Sequence, residues 1–144
     1  MYFSARNQLT GRLTRINHGV SNDEIVLTLA GGDHILALIT SDRSLIMGIK
    51  AGDEAIAVIN ASAIILGNER GKRYKLSARN QLPGEIKQIN IGPAFAEVLL
   101  GLKGGDSLVA IVPKEAINEL ELAVGHKVMA IFKASNVILG IASS

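Results

Sequence analysis

The residues able to do acid–base or metal chemistry are few in this chain, and they form no working set. His18, His34 and His126 share no spacing of the kind that brings imidazoles to one cation. Glu24 and Glu97 recur at one position of an internal repeat. A catalytic pair needs a partner carboxylate or base in reach, and none is assigned to either, so a salt bridge or an exposed strand position is the expected role. No nucleophile, base and acid return together in both halves. Gly31-Gly32-Asp33 and Gly104-Gly105-Asp106 lack the longer glycine pattern and the Lys-Ser or Lys-Thr ending of a phosphate loop, and read as hairpin turns. The polar group that does return intact is Ser4-Ala5-Arg6-Asn7-Gln8-Leu9, as Ser77-Ala78-Arg79-Asn80-Gln81-Leu82. A lone arginine is ordinarily a solvated surface residue and a lone serine a turn or strand-start residue. Recurrence of the whole hexapeptide argues against both bland roles. Binding rather than catalysis is the expectation.

The repeat organises the rest. Its offset is 73 residues, Ser4 to Ser77, and it runs without a gap: Ala61-Ser62 meets Ala134-Ser135, and Ile65-Leu66-Gly67 meets Ile138-Leu139-Gly140. The polar, glycine-containing stretch 68–73 reads as a linker between a first domain at 1–67 and a second at 74–144. In copy one, strands are expected at Gly11–Ile16, Glu24–Leu29, Ile35–Ile39, Ala55–Ile59 and Ile64–Leu66. Copy two repeats the pattern, ending in Val128–Phe132 and Val137–Leu139. Short runs rich in Ile, Val and Leu, separated by Gly, favour strands. One short helix is expected per copy after the third strand, clearest at 114–122, with Gly52 or Gly125 as its stop. The fold class is therefore all-β: two tandem OB-like five-stranded small barrels, each with one short helix. A domain of about 65 residues buries a modest fraction of its surface, so an oligomer is expected.

Composition narrows the partners. Of 144 residues 48 % are apolar, the net charge is only +2, and five residues are aromatic: Tyr2, Phe3, Tyr74, Phe95 and Phe132. An OB domain that binds single-stranded nucleic acid uses a basic groove and aromatic stacking platforms, and neither is well supplied here. There is no cysteine, which excludes a disulfide framework and thiolate metal sites. Residues 1–6 show no signal-peptide pattern, and no apolar run approaches the roughly 20 residues needed to cross a bilayer. A cytoplasmic location is expected.

Taken in order, the Ser-Ala-Arg-Asn-Gln-Leu opening, the Gly-Gly-Asp turn, Ala37-Leu38-Ile39-Thr40 and the ending Ala61-Ser62-Ala63-Ile64-Ile65-Leu66 resemble the molbindin (Mop) domain. The resemblance covers nearly the whole chain, in two copies. It implies an OB-like domain that binds molybdate, and often tungstate, between neighbouring domains of a homo-oligomer, with a trimer expected for two-copy members. It also implies the stand-alone form, for storage or homeostasis, since the chain leaves no room for a DNA-binding or ATPase domain beside the two copies. Molybdate is a tetrahedral dianion with acceptor oxygens only, so its site should present hydroxyls, N–H groups, Arg and Lys. The resemblance points to Ser4, Arg6, Ser77 and Arg79 in the opening motif, Thr40 after the third strand, and Ser44 nearby. It also points to Lys133, Ala134 and Ser135 before the last strand, with Asn60, Ala61 and Ser62 as their counterparts. The metal would be held through hydrogen bonds to its oxyanion, not by direct protein ligands.

Two departures stand out. Copy one has Asn60 where the lysine is expected; copy two has Pro113 where the threonine is expected, and proline donates through neither side chain nor backbone. Either Thr40 of one domain and Lys133 of another complement each other, or the degenerate copies leave fewer occupied sites. An interaction or regulatory module with decayed anion sites is the alternative function.

Overall fold

The computed structural model describes residues 1–142; Ser143 and Ser144, which the expected second domain includes, lie outside the described residues. Copy one runs β1 (Asn7–Asn17), β2 (Asn22–Leu29), β3 (His34–Thr40), α1 (Ser41–Met47), β4 (Glu54–Ile59), a 3-10 turn at Ala61–Ala63 and β5 (Ile65–Gly67). Copy two repeats it as β6 (Asn80–Ile91), β7 (Phe95–Gly101), a 3-10 turn at Lys103–Gly105, β8 (Ser107–Pro113), α2 (Lys114–Glu119), β9 (Lys127–Phe132), a 3-10 turn at Ala134–Asn136 and β10 (Ile138–Ile141). Strand periodicity explains the core. In β2, Asp23, Ile25, Leu27 and Leu29 point inward and their neighbours outward, and Ala96, Val98 and Leu100 do the same in β7. The first strand of each copy begins earlier than its apolar pattern suggests, because the opening hexapeptide supplies its first residues.

Two five-stranded antiparallel sheets result, in the orders β10-β4-β1-β2-β3 and β5-β9-β6-β7-β8. The final strands are exchanged. β10 of copy two pairs with β4 of copy one, Leu139 opposite Ala57, while β5 of copy one pairs with β9 of copy two, Leu66 opposite Ala130. Each exchanged strand buries one leucine and leaves the preceding isoleucine outside: Leu66 and Leu139 are buried, Ile65 and Ile138 exposed. The copies thus share one apolar core rather than closing separately.

Two devices join the copies further. Asn7 and Asn80, both buried, act as side-chain rungs of a ladder. The Asn7 amide donates to Val109 O at 2.8 Å and accepts from Val109 N at 2.7 Å; the Asn80 amide does the same with Leu36, at 2.8 Å both ways. The second device is Gly31 against its own repeat counterpart, Gly104. A Cβ on Gly31 would lie 2.2 Å from the Lys103 carbonyl oxygen, and one on Gly104 2.4 Å from the Gly31 nitrogen. The two Gly-Gly-Asp segments, expected only to turn the chain, are also where the hairpin backbones touch, with Lys103 Nζ 3.3 Å from Asp33 Oδ1 across the same junction.

The helices end earlier than expected. Gly48, in the left-handed region at φ 65°, stops α1, and Gly52 and Gly125 lie beyond the helices in the turns leading to β4 and β9. The counterpart of Gly48 in copy two is Glu121, held at φ 51° although it carries a Cβ.

Candidate functional site

The sheet exchange decides which predicted residues meet. The 3-10 turn Ala134–Asn136 packs on β3, and the 3-10 turn Ala61–Ala63 packs on β8. Lys133, Ala134 and Ser135 of copy two therefore lie along the strand that ends in Thr40 of copy one. The second hexapeptide comes to the same place: Asn80 is the ladder partner of Phe132 and clamps Leu36 on β3, so Arg79 and Lys133 each follow one residue beyond that rung. At the other end of the molecule, Asn7 pairs with Ile59 and clamps Val109 on β8, so Ser4, Arg6, Asn60, Ala61 and Ser62 gather on the strand that ends in Pro113.

At the first end, Thr40 is exposed and caps α1; its Oγ1 accepts from the Arg43 N–H at 3.3 Å, and the hydroxyl hydrogen remains a donor. A groove of about 690 Å³ runs beside it, lined by Thr40, Arg43, Ile46 and Met47 from copy one and by residues 137–142 from copy two. Lys133 and Ser135 are exposed and Ala134 half-buried.

Ser44 is placed differently from the other predicted donors. It is buried, and with Ser41 it faces the carboxylate of Asp23, which is 2 % exposed. Ser41 Oγ donates to Asp23 Oδ1 at 2.9 Å, the Gly19 N–H donates to the same oxygen at 3.2 Å, and His18 Nδ1 lies 3.0 Å from Oδ2. Burial alone would raise this carboxyl; hydrogen bonds from Ser41, Ser44, His18 and Gly19 outweigh it and hold Asp23 at about 2. The network braces the β2 end against α1 and so fixes the backbone that carries Thr40. Sequence reasoning missed it because Asp23 does not recur: its counterpart is Ala96.

Arg6 and Arg79 reach across the copy boundary. Arg6 Nη1 donates to Glu97 Oε1 at 2.6 Å, and Arg79 Nη1 to Glu24 Oε1 at 2.9 Å. The recurring glutamates are therefore salt-bridge partners, as their setting suggested, and their partners are the recurring arginines. All four side chains are at least a third exposed, and a guanidinium has five N–H donors, so each arginine keeps donors for a second acceptor. Ser4 and Ser77 are exposed just ahead of the strands. The asparagine of the hexapeptide escaped sequence reasoning as a functional residue, though its recurrence was visible. Among the described residues no group of three His, Asp or Glu side chains is placed to hold a metal ion, and no helix is long and apolar enough to cross a membrane.

The TOBE-domain family model matches residues 4–66 and again residues 76–139. The chain belongs to the TOBE-domain family. Its two TOBE copies are of the Mop, or molbindin, type. The molybdenum-pterin-binding protein MopA of Rhodobacter capsulatus is 36 % identical over 139 residues, covering 96 % of this chain and 52 % of that protein. The DNA-binding transcriptional dual regulator ModE of Escherichia coli K12 is 34 % identical over 138 residues, covering 94 % of this chain and 51 % of the regulator. The TOBE pair thus spans about half the length of the curated relatives it matches. Among solved structures, the cytoplasmic molybdate-binding protein ModG, in a form with molybdate bound, superposes with a TM-score of 0.93 at 40 % identity, covering 99 % of this chain and 100 % of that one. The two-domain, strand-rich architecture expected from the sequence is therefore that of a two-copy TOBE protein.

Proposed function

We propose that this chain binds molybdate, and tungstate as its near-isosteric analogue, without catalysis, for molybdenum storage or homeostasis in the cytoplasm. The observation that carries the reading is the full-length match, at 40 % identity, to ModG in its molybdate-bound form. The chemistry of the two ends supports it. Their exposed polar side chains are Ser4, Arg6, Asn60 and Ser62 at one end, and Thr40, Ser77, Arg79, Lys133 and Ser135 at the other, and all can donate. The backbone N–H groups of Ala61 and Ala134 belong to the same sets. Ser44 serves as support for Asp23 rather than as a direct donor. Each hydrogen bond to a doubly charged oxyanion contributes about 1.5–3 kcal/mol net of its exchange with water, so a handful suffices for useful affinity.

A homo-oligomer, a trimer by family resemblance, completes the proposal. It is supported by the exposed Leu38, Ile46 and Ile138 beside the groove, an apolar surface that a second copy would remove from water. Calorimetric titration with molybdate, tungstate, sulfate and phosphate, together with the mass in solution, tests both parts. Heat with the two metal oxyanions and a mass three times that of the chain is expected. Absence of binding by either metal oxyanion overturns the function, and a monomer overturns the assembly.

The match to half of a DNA-binding regulator favours one second reading, a ligand-sensing module that acts on a DNA-binding partner domain. The proposal assigns no nucleic acid to this chain itself. Salt-sensitive binding of DNA by the 144-residue chain would reverse that assignment.

A further inference from the structure

Along the sequence the donor set looks evenly damaged: copy one lacks the lysine, copy two the threonine. The exchanged sheets change that distribution. Thr40 of copy one lies on the strand that receives Lys133 of copy two, while Pro113 of copy two lies on the strand that receives Asn60 of copy one. Both intact positions fall at one end and both losses at the other. We infer that the chain carries one competent oxyanion end, assembled from both copies, and one weakened end. This rests on the oxyanion reading above and deepens it.

Neighbouring positions follow the same division. Arg43, which lines the groove with Thr40, is replaced in copy two by Ala116. Ser44 is replaced by the buried Ile117 and Asp23 by Ala96, so the hydrogen-bonded brace behind Thr40 has no counterpart behind Pro113. The weakened end keeps Ser4, Arg6, Asn60 and Ser62, and gains one cation, Lys114, where copy one has Ser41. Lys114 is exposed at the start of α2 beside Glu115, just as Arg43 follows Asp42 in α1, so the carboxylate is common to both ends. The competent end presents Thr40 and Arg43 at the groove on a braced backbone, with Arg79 and Lys133 farther back along β3, one residue beyond the Asn80–Phe132 pair that faces Leu36. A dianion gains most where several donors are held in place before it arrives.

Titration of the intact chain with sodium molybdate decides the matter, with thermal melting to confirm that each variant is folded. One tight class of sites is expected, separated by at least about tenfold from any weaker class. Lys133→Ala should weaken that tight class about 10- to 100-fold, the loss of one charge-assisted hydrogen bond. Thr40→Ala should weaken the same class about 5- to 10-fold, and the double variant should be non-additive because both side chains serve one site. The paired change Asn60→Lys with Pro113→Thr should tighten the weak class. Two tight classes of equal size in the unmodified chain, with Thr40→Ala and Lys133→Ala each depleting a different one, would overturn the inference and leave molybdate binding standing. No binding of molybdate or tungstate by the unmodified chain would remove both.

Discussion

At one end of this molecule β3 runs into Thr40, the buried Asp23 network and the turn that follows Lys133; at the other, β8 runs into Pro113, Ala96 and the turn that follows Asn60. The joining apparatus is the same at both. Each end has a buried asparagine clamping the facing strand, an arginine reaching the other copy's glutamate, and an exchanged last strand. The differences include Thr40 against Pro113, Asp23 against Ala96, Ser44 against Ile117 and Lys133 against Asn60, with Gly48 against Glu121 at the helix ends. What holds the two copies together has been kept twofold, while the polar equipment has not. The asparagine clamps and exchanged strands can be perturbed apart from Thr40, Asn60, Lys133 and Pro113, whereas Arg6 and Arg79 belong to both sets.

The shared part of the comparison is open to the largest perturbation. Asn80→Leu leaves the Leu36 N–H and C=O without their partners in the copy interface, and Asn7→Leu does the same to Val109. Each should cost about 2–6 kcal/mol, two orphaned groups at roughly 1–3 kcal/mol apiece, read by denaturant unfolding. Markedly unequal losses would break the claim that the two clamps are equivalent. Next comes the unequal part. Asp23→Ala gives copy one the residue of copy two, and should lower the Tm at pH 7. Because folding depresses this carboxyl from 3.8 to about 2, its contribution is fully present above pH 3.8 and is lost as pH falls through 2. The Tm gap between wild type and Asp23→Ala should accordingly close between pH 4 and pH 2. A gap that persists at pH 2 would mean that the carboxylate's charge is not what braces α1.

A smaller effect of opposite sign is expected after α2. Glu121 occupies the left-handed conformation that Gly48 holds in copy one, so Glu121→Gly should stabilise by about 1 kcal/mol, and Gly48→Glu should destabilise by a similar amount. Loss of the surface pairing between Arg70 and Glu121 subtracts little. Smallest are the cross-copy salt bridges. Arg6→Ala and Arg79→Ala should each cost less than about 1 kcal/mol, since all four partners are well exposed. If Arg79→Ala weakens molybdate binding while scarcely moving the Tm, the arginine's spare donors are the ones that matter.

Much of this was legible in the residues. The duplication, the strands, the one short helix per copy and a non-catalytic role for Glu24 and Glu97, in a salt bridge or at an exposed strand position, follow from recurrence, from alternation of apolar residues and from the absence of catalytic company. The helix stops were not legible, because copy one has glycines both at and beyond its helix end while copy two has Gly125 only beyond it, and only backbone geometry picks Gly48 and Glu121. Nor was Asp23, which copy two replaces with Ala96, and whose role depends on Ser41 and Ser44 folding back over it. Ser44, taken from sequence as an anion donor, is drawn inward by that same carboxylate.

Recurrence and apolar alternation along the chain are enough to give two copies, their strands and the polar residues each copy kept. Which of those residues stand together is set by the fold. The reason is the near-equivalence of the final strands. Residues 65–67 and 138–140 read Ile-Leu-Gly in both copies and present the same buried leucine, so β4 and β9 can each accept either one at little difference in local energy. Nothing in the alternation of side chains distinguishes closure within a copy from exchange between copies. In the exchanged arrangement the 3-10 turns cross β3 and β8, which brings Lys133 of copy two to the strand of Thr40 and Asn60 of copy one to the strand of Pro113.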